Sequence, residues 1–256
     1  MLRQTFVSNH CARIKAFVIF IGLLFSALTF AETWQTLAPG IDYLDLNRTL
    51  LTPWSHLHVF RIDLNQNTLD VITAQDMRQN EASLLDLSTH SHALISINGG
   101  FFDEQYRPLG LRLGHQHRES QIKPISWWGI FYVANKRARV VQYDALPAKN
   151  SLEFAVQSGP RLLVNGNILK LKPGHAERSA LGITSDGRVI IVITEHMPLT
   201  TSRLAQLMKQ APLYCDNALN LDGGSSTQLI ANIKEFHLNT AHFNKLSDAI
   251  IVKSRT

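Results

Sequence analysis

Residues 220–229 read NLDGGSSTQL, and this stretch decides how the chain is interpreted. Its only acid, Asp222, ends an apolar run, and two glycines and three hydroxyl residues follow it: Gly223, Gly224, Ser225, Ser226 and Thr227. Glycines let a ligand approach the backbone, turn amides can hold an anion, and hydroxyls bind phosphate or sugar oxygens. An ordinary turn, in which the Asp caps the next segment, has the same pattern. Both interpretations stay open on this stretch alone.

A second stretch repeats the arrangement. Residues 93–102, ALISINGGFF, run from an apolar strand into Asn98, Gly99 and Gly100. Aromatic faces beside polar groups suit sugar rings, although Phe101 and Phe102 are equally typical of a core. We therefore take Asn98, Gly99, Gly100 and Phe102 as candidate substrate-binding residues.

Two further polar residues stand at the ends of apolar strands. Arg178 precedes the strand SALGIT, and a guanidinium matches phosphate oxygens bidentately. A structural ion pair explains it equally well. Glu195 ends VIIVITE, and it is the best second carboxylate because it too follows a buried strand.

Four motifs in this order resemble the phosphodiester glycosidase family: INGGFF, SGPRLLVNG, ERSALGIT and NLDGGSSTQL. The family includes the uncovering enzyme, N-acetylglucosamine-1-phosphodiester alpha-N-acetylglucosaminidase, and the resemblance covers residues 94–252. It implies cleavage of a sugar from a phosphodiester, with a cleft lined by the two glycine motifs and Arg178. Members commonly carry a third glycine after the acid. Ser225 takes that place here, and a side chain at this position would narrow the pocket.

Glycoside hydrolysis usually uses two carboxyl groups. We predict Asp222 as nucleophile or base, with Glu195 as an optional partner. A phosphate ester departs as a stable anion and needs little protonation, so one carboxylate and an Arg can suffice. Arg178 would offset the negative charge on that leaving group.

The first residues have the composition of a secretory signal. Three bases (Arg3, Arg13 and Lys15) precede the uncharged run 16–30, and Ala31 ends a small-residue cleavage site. We predict that residues 1–31 are cleaved and that 32–256 form one phosphodiester glycosidase-like domain. An uncleaved anchor is the alternative, but a membrane span needs about 20 apolar residues. The predicted protein is therefore exported, periplasmic or extracellular, with no membrane span after cleavage.

The charge and the cysteine content argue against a nucleic-acid-binding protein and against a protein stabilised by disulfides. Removing the signal takes away three bases and no acid, so the formal net charge falls from +5 to +2. With no Lys/Arg cluster, we expect no nucleic-acid partner. Cys215 remains alone after Cys11 leaves, so no intramolecular disulfide forms, and we expect Cys215 to pack in the core behind a helix. The sequence leaves the oligomeric state unknown.

Histidines suggest a rival interpretation. Three pairs, at 56/58, 90/92 and 115/117, are spaced as metal ligands on one strand face. We interpret them as solvated polar residues, because two pairs lie in predicted loops and none stands beside a fixed pattern of acids. No cofactor and no metal site are therefore predicted.

Short β-branched segments bounded by turn residues dominate the chain, and two segments, 81–90 and 201–211, have helical spacing. This pattern predicts an α+β fold with a mostly antiparallel or mixed sheet in a single domain. The predicted function is hydrolysis of a sugar-1-phosphodiester in a glycoconjugate or cell-envelope glycan. Two alternatives remain: a non-catalytic carbohydrate- or envelope-binding module, and a metal-dependent phosphodiesterase.

Overall fold

The computed structural model describes residues 33–46, 52–115 and 121–255. The predicted signal, residues 1–31, lies outside them, as does part of the loop after His115. The description below concerns the unit that begins at Trp34, within these ranges. The domain boundary at residue 32 stays a prediction.

Seventeen strands and two α-helices make up the described part of the chain. The helices are α1 (Leu84–Ser91) and α2 (Thr201–Lys209). In chain order, the strands are β1 (Gln35–Ala38), β2 (Ile41–Asp45), β3 (His56–Ile62), β4 (Asn67–Thr73), β5 (Ile95–Asn98), β6 (Arg112–Leu113), β7 (Gly129–Ala134), β8 (Arg137–Val141), β9 (Phe154–Ser158), β10 (Arg161–Val164), β11 (Asn167–Ile168), β12 (Ser179–Thr184), β13 (Val189–Glu195), β14 (Cys215–Asn220), β15 (Leu229–Ile233), β16 (Phe236–Asn239) and β17 (Asp248–Ser254).

The strands form three sheets. An eight-stranded sheet has the order β1-β2-β3-β13-β12-β14-β10-β11, a five-stranded sheet β16-β15-β5-β17-β4, and a four-stranded sheet β6-β9-β7-β8. Every strand pairing in the described ranges is antiparallel. The prediction of a single α+β domain with a mostly antiparallel sheet is confirmed.

The main core lies between the eight-stranded sheet and the two smaller sheets. It contains Phe60, Ile97, Phe131, Leu181 and Leu219, all fully buried. On its other face the large sheet carries α2, whose buried positions pack beside Cys215, as expected from the sequence. Helix α1 covers the outer face of the five-stranded sheet. Both amphipathic helices thus bury one face against a sheet, which is the usual source of helix stability.

Two hairpin turns carry residues that favour their geometry. Asn165 and Gly166 connect β10 to β11 with positive φ values of 48° and 76°, the geometry that Asn-Gly favours. Residues 185–188 connect β12 to β13.

Several polar residues lie at one end of the strands of the eight-stranded sheet, and this end is called an edge here. Because neighbouring strands are antiparallel, β3, β12 and β10 begin at the edge where β13 and β14 end. We call this edge, with the loops attached to it, the rim. Along it lie, in strand order, Glu195 of β13, Arg178 just before β12, and Asp222 just after β14.

No helix among the described residues is long and apolar enough to cross a membrane.

Candidate active site

Asp222 stands two residues beyond the buried strand β14, with its side chain held from its own loop. The backbone N–H of Gly223 donates to Oδ1 over 2.9 Å, and the Ser226 side chain forms a further hydrogen bond to the carboxylate. The preceding backbone is fixed as well, since Leu221 N donates to Ser179 O over 2.8 Å. The carboxylate therefore has a defined orientation at the rim.

Burial raises the pKa of Asp222 above its ordinary value. The negative charge of Asp248 also raises it, while the bonds from Ser226 and Gly223 and the charge of Arg112 lower it. Desolvation is the largest cause, because a partly buried carboxylate loses hydration that its few donors do not replace. A carboxyl group with a raised pKa at a strand end is typical of a catalytic acid or base.

Asn98 connects the two glycine motifs. Its Nδ2 donates to the backbone oxygen of Asp222 over 2.9 Å, and its Oδ1 accepts from Ser179 Oγ over 2.6 Å. Oδ1 also accepts from Gln228 N at 3.3 Å, so both ends of the buried amide are engaged. Asn98 thus holds the main chain of Asp222 in place.

Arg178 lies beside Gly223. A Cβ added to Gly223 would lie 4.0 Å from Cδ of Arg178 and 2.7 Å from Glu177 O, so the two segments are in contact. The guanidinium donates from Nε to Leu199 O over 2.8 Å and from Nη2 to Gly174 O over 2.7 Å. Burial lowers the pKa of Arg178, yet an arginine stays charged at neutral pH.

Both hydrogen bonds of this guanidinium go to neutral carbonyls. Among the described residues no carboxylate pairs with Arg178, so an ion pair does not account for it. The charge is held rigidly at the rim and is not neutralised by a described neighbour.

Gly99 and Gly100 cover a buried ion pair. Arg112 Nε donates to Asp248 Oδ1 over 2.7 Å, and neither side chain is exposed. A Cβ on Gly99 would lie 1.7 Å from that Oδ1, and one on Gly100 would lie 2.6 Å from Arg112 Nη2. These glycines are therefore required for packing against the pair.

The residues after Gly223 differ in how far they are exposed to solvent. Gly224 has φ +63° and nothing within 4 Å of an added Cβ, so the backbone is open there. Ser225 is exposed, and Ser226 binds the Asp222 carboxylate. Thr227 is buried, and its Oγ1 has no hydrogen-bond partner in the described part of the chain.

Three aromatic rings contact one another in a row that begins at Phe101, the residue after Gly100. Phe101 stacks on Trp128 with ring centroids 5.2 Å apart, and Trp127 meets Trp128 edge to face at 5.8 Å. Trp128 packs against Gly159, and Trp127 O accepts from Arg161 N at the start of β10, the strand beside β14. Trp127 is 55% exposed. We call these three rings the aromatic row.

Phe102 does not belong to this row. It stacks on Tyr106 at 5.2 Å and packs against the apolar cluster between α1 and the five-stranded sheet. The structure therefore places Phe102 in an apolar cluster, whereas Phe101 is the ring that stacks on Trp128. Alternation of side chains from Gly100 onward explains the difference, because neighbouring residues face opposite sides.

Glu195 is the last residue of β13, one strand away from Arg178 and two strands away from Asp222. Thr194 N donates to Arg178 O over 2.9 Å, which connects the neighbouring strands. Two strand spacings correspond to about 10 Å along the rim. Glu195 thus belongs to the same edge as Asp222, on the far side of Arg178.

The interpretation of the first histidine pair as solvated was wrong. His56 and His58 share a face of β3 and stack at 5.2 Å, and His58 is buried. His56 Nδ1 lies 2.7 Å from Asp45 Oδ2, and His58 Nε2 lies 2.9 Å from Glu195 Oε2. The pairing of these histidines with acids was missed because it depends on the order of the strands: Asp45 comes from β2, and Glu195 from β13, 137 positions from His58.

Within residues 33–46, 52–115 and 121–255, no group of three or more His, Cys, Asp or Glu side chains is arranged to hold a metal ion.

The family model of the phosphodiester glycosidases matches residues 91–253, more than half of the chain. The chain belongs to the phosphodiester glycosidase family. The matched span contains Asn98, Arg178, Glu195 and Asp222, whereas His56 and His58 precede it.

A curated bacterial protein is similar in sequence. The chain is 30% identical over 154 residues to the uncharacterized protein YigE of Escherichia coli (strain K12), covering 56% of this chain and 60% of that protein. The match thus spans less than two thirds of the relative's length.

The fold is that of the zebrafish N-acetylglucosamine-1-phosphodiester alpha-N-acetylglucosaminidase catalytic domain, which was solved auto-inhibited by its pro-peptide. The TM-score is 0.64 at 16% identity, covering 86% of each chain. A hypothetical protein from Synechocystis also has a TM-score of 0.64, at 17% identity, over 88% of this chain and 64% of that one.

Proposed function

We propose that this protein is an exported hydrolase that cleaves the glycosidic bond between a sugar and a phosphodiester. Membership of the phosphodiester glycosidase family supports the reaction class. The substrate would be a glycoconjugate or a cell-envelope glycan that carries a sugar-1-phosphodiester.

The observation that carries the proposal is the environment of Asp222. A carboxylate with a raised pKa is held by Ser226 and Gly223 N, and its main chain is bonded to Asn98. A fixed carboxylate can attack the anomeric carbon or take a proton from an attacking water. In either role the bond from the anomeric carbon to the phosphate oxygen breaks, and the phosphate leaves with the electron pair.

Arg178 supports the phosphate part of the substrate. Its guanidinium is oriented by Leu199 O and Gly174 O and has no carboxylate partner among the described residues. A fixed cation on the side chain that contacts Gly223 would bind the phosphate and stabilise the charge that develops on the leaving oxygen. This lowers the need for a general acid at the leaving group.

The aromatic row supports the sugar part. Trp127 is largely exposed, and it is backed by Trp128 and Phe101, so its position is fixed by packing. Aromatic faces bury the apolar face of a sugar ring while the ring hydroxyls stay hydrated. With Arg178 on the other side of Asp222, the rim presents separate places for sugar and phosphate.

Export rests on the composition of residues 1–31, which lie outside the described ranges. It places the substrate in the periplasm or outside the cell.

The test is release of free sugar from a panel of synthetic sugar-1-phosphodiesters by the protein expressed without residues 1–31, with and without a chelator. We expect turnover by the wild type, loss of turnover in Asp222→Asn, and no effect of chelator. Asp216→Asn is the matched control, because Asp216 is an exposed acid on the same strand, β14, at the opposite edge.

Three outcomes overturn the proposal in different ways. Full activity of a folded Asp222→Asn variant would exclude Asp222 as the catalytic carboxylate. Loss of activity with chelator would support the metal-dependent phosphodiesterase instead. No turnover on any diester, with glycan binding unchanged in Asp222→Asn, would support a binding module.

A further inference from the structure

A buried polar chain lies behind Glu195. Tyr43 Oη is 2.8 Å from His58 Nδ1, and His58 Nε2 is 2.9 Å from Glu195 Oε2. The His58 side chain is 3% exposed, whereas that of Glu195 is 22% exposed. This series of hydrogen-bonded side chains therefore begins inside the protein and ends at a carboxylate that is partly exposed to solvent at the rim.

The direction of these hydrogen bonds follows from the groups involved. An ionised carboxylate only accepts, so His58 Nε2 must carry a hydrogen and donate to Glu195. Burial lowers the pKa of His58, although the bond to Glu195 and the charges of Glu195 and Asp45 act in the opposite direction. The neutral ring then accepts at Nδ1, and the Tyr43 hydroxyl donates to it.

The charged and titratable groups that face His58 come from three strands. Glu195 belongs to β13 and Asp45 to β2, and His56 stacks on His58 from within β3. Asp45 is itself engaged, since its Oδ2 lies 2.7 Å from His56 Nδ1 and its Oδ1 accepts from Leu57 N. The His56–Asp45 pair thus packs beside His58. The Asp45 carboxylate contacts His56 and the backbone of Leu57, whereas the ring nitrogens of His58 contact Tyr43 and Glu195.

Only one carboxylate oxygen of Glu195 takes part in this series of hydrogen bonds. Oε2 accepts from His58, whereas Oε1 has no hydrogen-bond partner among the described residues. Register places Glu195 opposite His56 in the β13–β3 pairing, so the backbone beneath the carboxylate is fixed by the sheet. One oxygen is therefore anchored, and the other is available at the partly exposed rim.

We propose that His58, backed by Tyr43, is a positioning residue that fixes Glu195 as the second carboxylate of the hydrolytic reaction. The inference rests on the proposed function. Once Asp222 has attacked the anomeric carbon and the phosphate has left, Glu195 Oε1 accepts the proton of a water whose oxygen forms the new bond to that carbon. The bond from the carbon to the Asp222 oxygen breaks, and the Asp222 carboxylate keeps the electron pair.

The positioning pair lies outside the span that defines the family. The family model matches residues 91–253, so it contains Glu195 but neither Tyr43 nor His58. Strands β2 and β3, which carry the pair, are joined to the matched span through the β3–β13 pairing. The segment before residue 91 would thus supply part of the catalytic apparatus.

The kinetic test compares His58→Leu, His58→Gln and Tyr43→Phe on the best diester substrate. A misplaced catalytic group costs up to about 100-fold in rate. We expect His58→Leu to lower kcat by about 10- to 100-fold with KM changed less than about twofold. His58→Gln, which keeps a donor near Nε2, should recover most of the rate, and Tyr43→Phe should lose less than His58→Leu. His90→Leu, on the exposed surface of α1, is the control for the substitution itself.

A double-mutant cycle separates positioning from a purely structural role. Residues that act through one another are non-additive, so Glu195→Gln with His58→Leu should be no slower than Glu195→Gln alone. Additive losses would contradict the proposal.

A spectroscopic measurement keeps the inference testable without a substrate. Nitrogen-15 NMR of the histidine rings reports tautomer and charge. We expect His58 at neutral pH to be neutral with hydrogen on Nε2, and its resonances to shift in Glu195→Gln. A charged ring, or hydrogen on Nδ1, would overturn the arrangement. Loss of activity in Asp222→Asn with full activity in Glu195→Gln would overturn the inference and leave the proposed function standing.

Discussion

Hydrogen bonds connect the segment of Asn98 with the segment of Asp222 in both directions. Asn98 Nδ2 donates to Asp222 O over 2.9 Å, and Asp222 N lies 3.4 Å from Gly99 O. Asn98 ends β5 of the five-stranded sheet, whereas Asp222 follows β14 of the eight-stranded sheet. The two glycine motifs thus join the sheets at the point where the candidate catalytic carboxylate leaves the backbone.

The first prediction concerns Asp222→Asn. We expect kcat/KM to fall by at least about 1,000-fold, since the amide can neither attack carbon nor accept a proton. We also expect the variant to be more stable at neutral pH by about 1 kcal/mol, because the substitution removes a partly desolvated charge. Kinetics and urea unfolding check both effects, with Asp216→Asn as control.

A folded Asp222→Asn variant that is less stable than the wild type would contradict the second part. It would mean that the hydrogen bonds from Gly223 and Ser226 outweigh the cost of burying the charge.

The second prediction concerns pH. Asp222 acts in its ionised form, and its folded-state pKa is raised by burial, so kcat/KM should fall as pH drops through that raised value. The stability effect has the opposite sign from that of a salt-bridged acid. The charged form is disfavoured in the fold, so the stability gap between Asp222→Asn and the wild type is largest above the raised pKa. It should close as pH falls toward 3.8, the ordinary value.

Unfolding curves of both proteins across this pH range measure the gap directly. A gap that stays constant with pH would show that Asp222 has the same pKa in the folded and unfolded chain.

Local patterns in the sequence were sufficient to predict much of the sheet. β3, β12 and β13 are continuous β-branched or alternating runs, and both helices have apolar residues three and four positions apart. β4 and β9 lack such a pattern. NTLDVIT and FAVQS mix polar with apolar residues, and both strands are fixed by their partners, β17 and β7. Such pairing is a tertiary effect that propensity does not report.

The candidate site was predictable to a similar extent. Strand ends that carry Asp222, Arg178 and Glu195 were visible as polar residues beside apolar runs. The buried pair of Arg112 and Asp248 was not, because its members are 136 positions apart and neither stands in a motif. Long-range contacts of this kind depend on the order of the strands in the sheets.

The third prediction concerns Arg178→Lys. Lysine keeps the charge but loses the planar fork that Leu199 O and Gly174 O orient. We expect KM for a phosphodiester substrate to rise by about 10-fold or more, with a smaller effect on glycan binding without phosphate. Steady-state kinetics measure this change. Arg203→Lys, on the exposed face of α2, is the control. An unchanged KM and kcat in Arg178→Lys would exclude a role for the guanidinium in phosphate recognition.

The fourth prediction contrasts two glycines. In Gly99→Ala the new Cβ would lie 1.7 Å from Asp248 Oδ1, so the buried pair with Arg112 must move. Disrupting a buried ion pair costs about 3–5 kcal/mol, and we expect a loss of this size in the free energy of unfolding. Gly224→Ala meets open space and has only its φ of +63° against it, so about 1–2 kcal/mol is expected.

Urea unfolding of the two variants measures this difference. Equal losses would mean that the structure relaxes around Gly99 and that packing on the ion pair does not require a glycine there.

The fifth prediction concerns Trp127, the exposed end of the aromatic row. If a sugar ring stacks on it, Trp127→Ala removes binding area without touching the reacting atoms, and KM should rise by about 5- to 20-fold with kcat nearly unchanged. Tyr214→Ala is the control, since Tyr214 is similarly exposed at 62% but precedes β14 at the opposite edge of the sheet. Titration with the free sugar should show the same loss of affinity. A drop in kcat with unchanged KM would place Trp127 in the support of the Asp222 loop, and equal effects in both variants would remove the aromatic row from the substrate site.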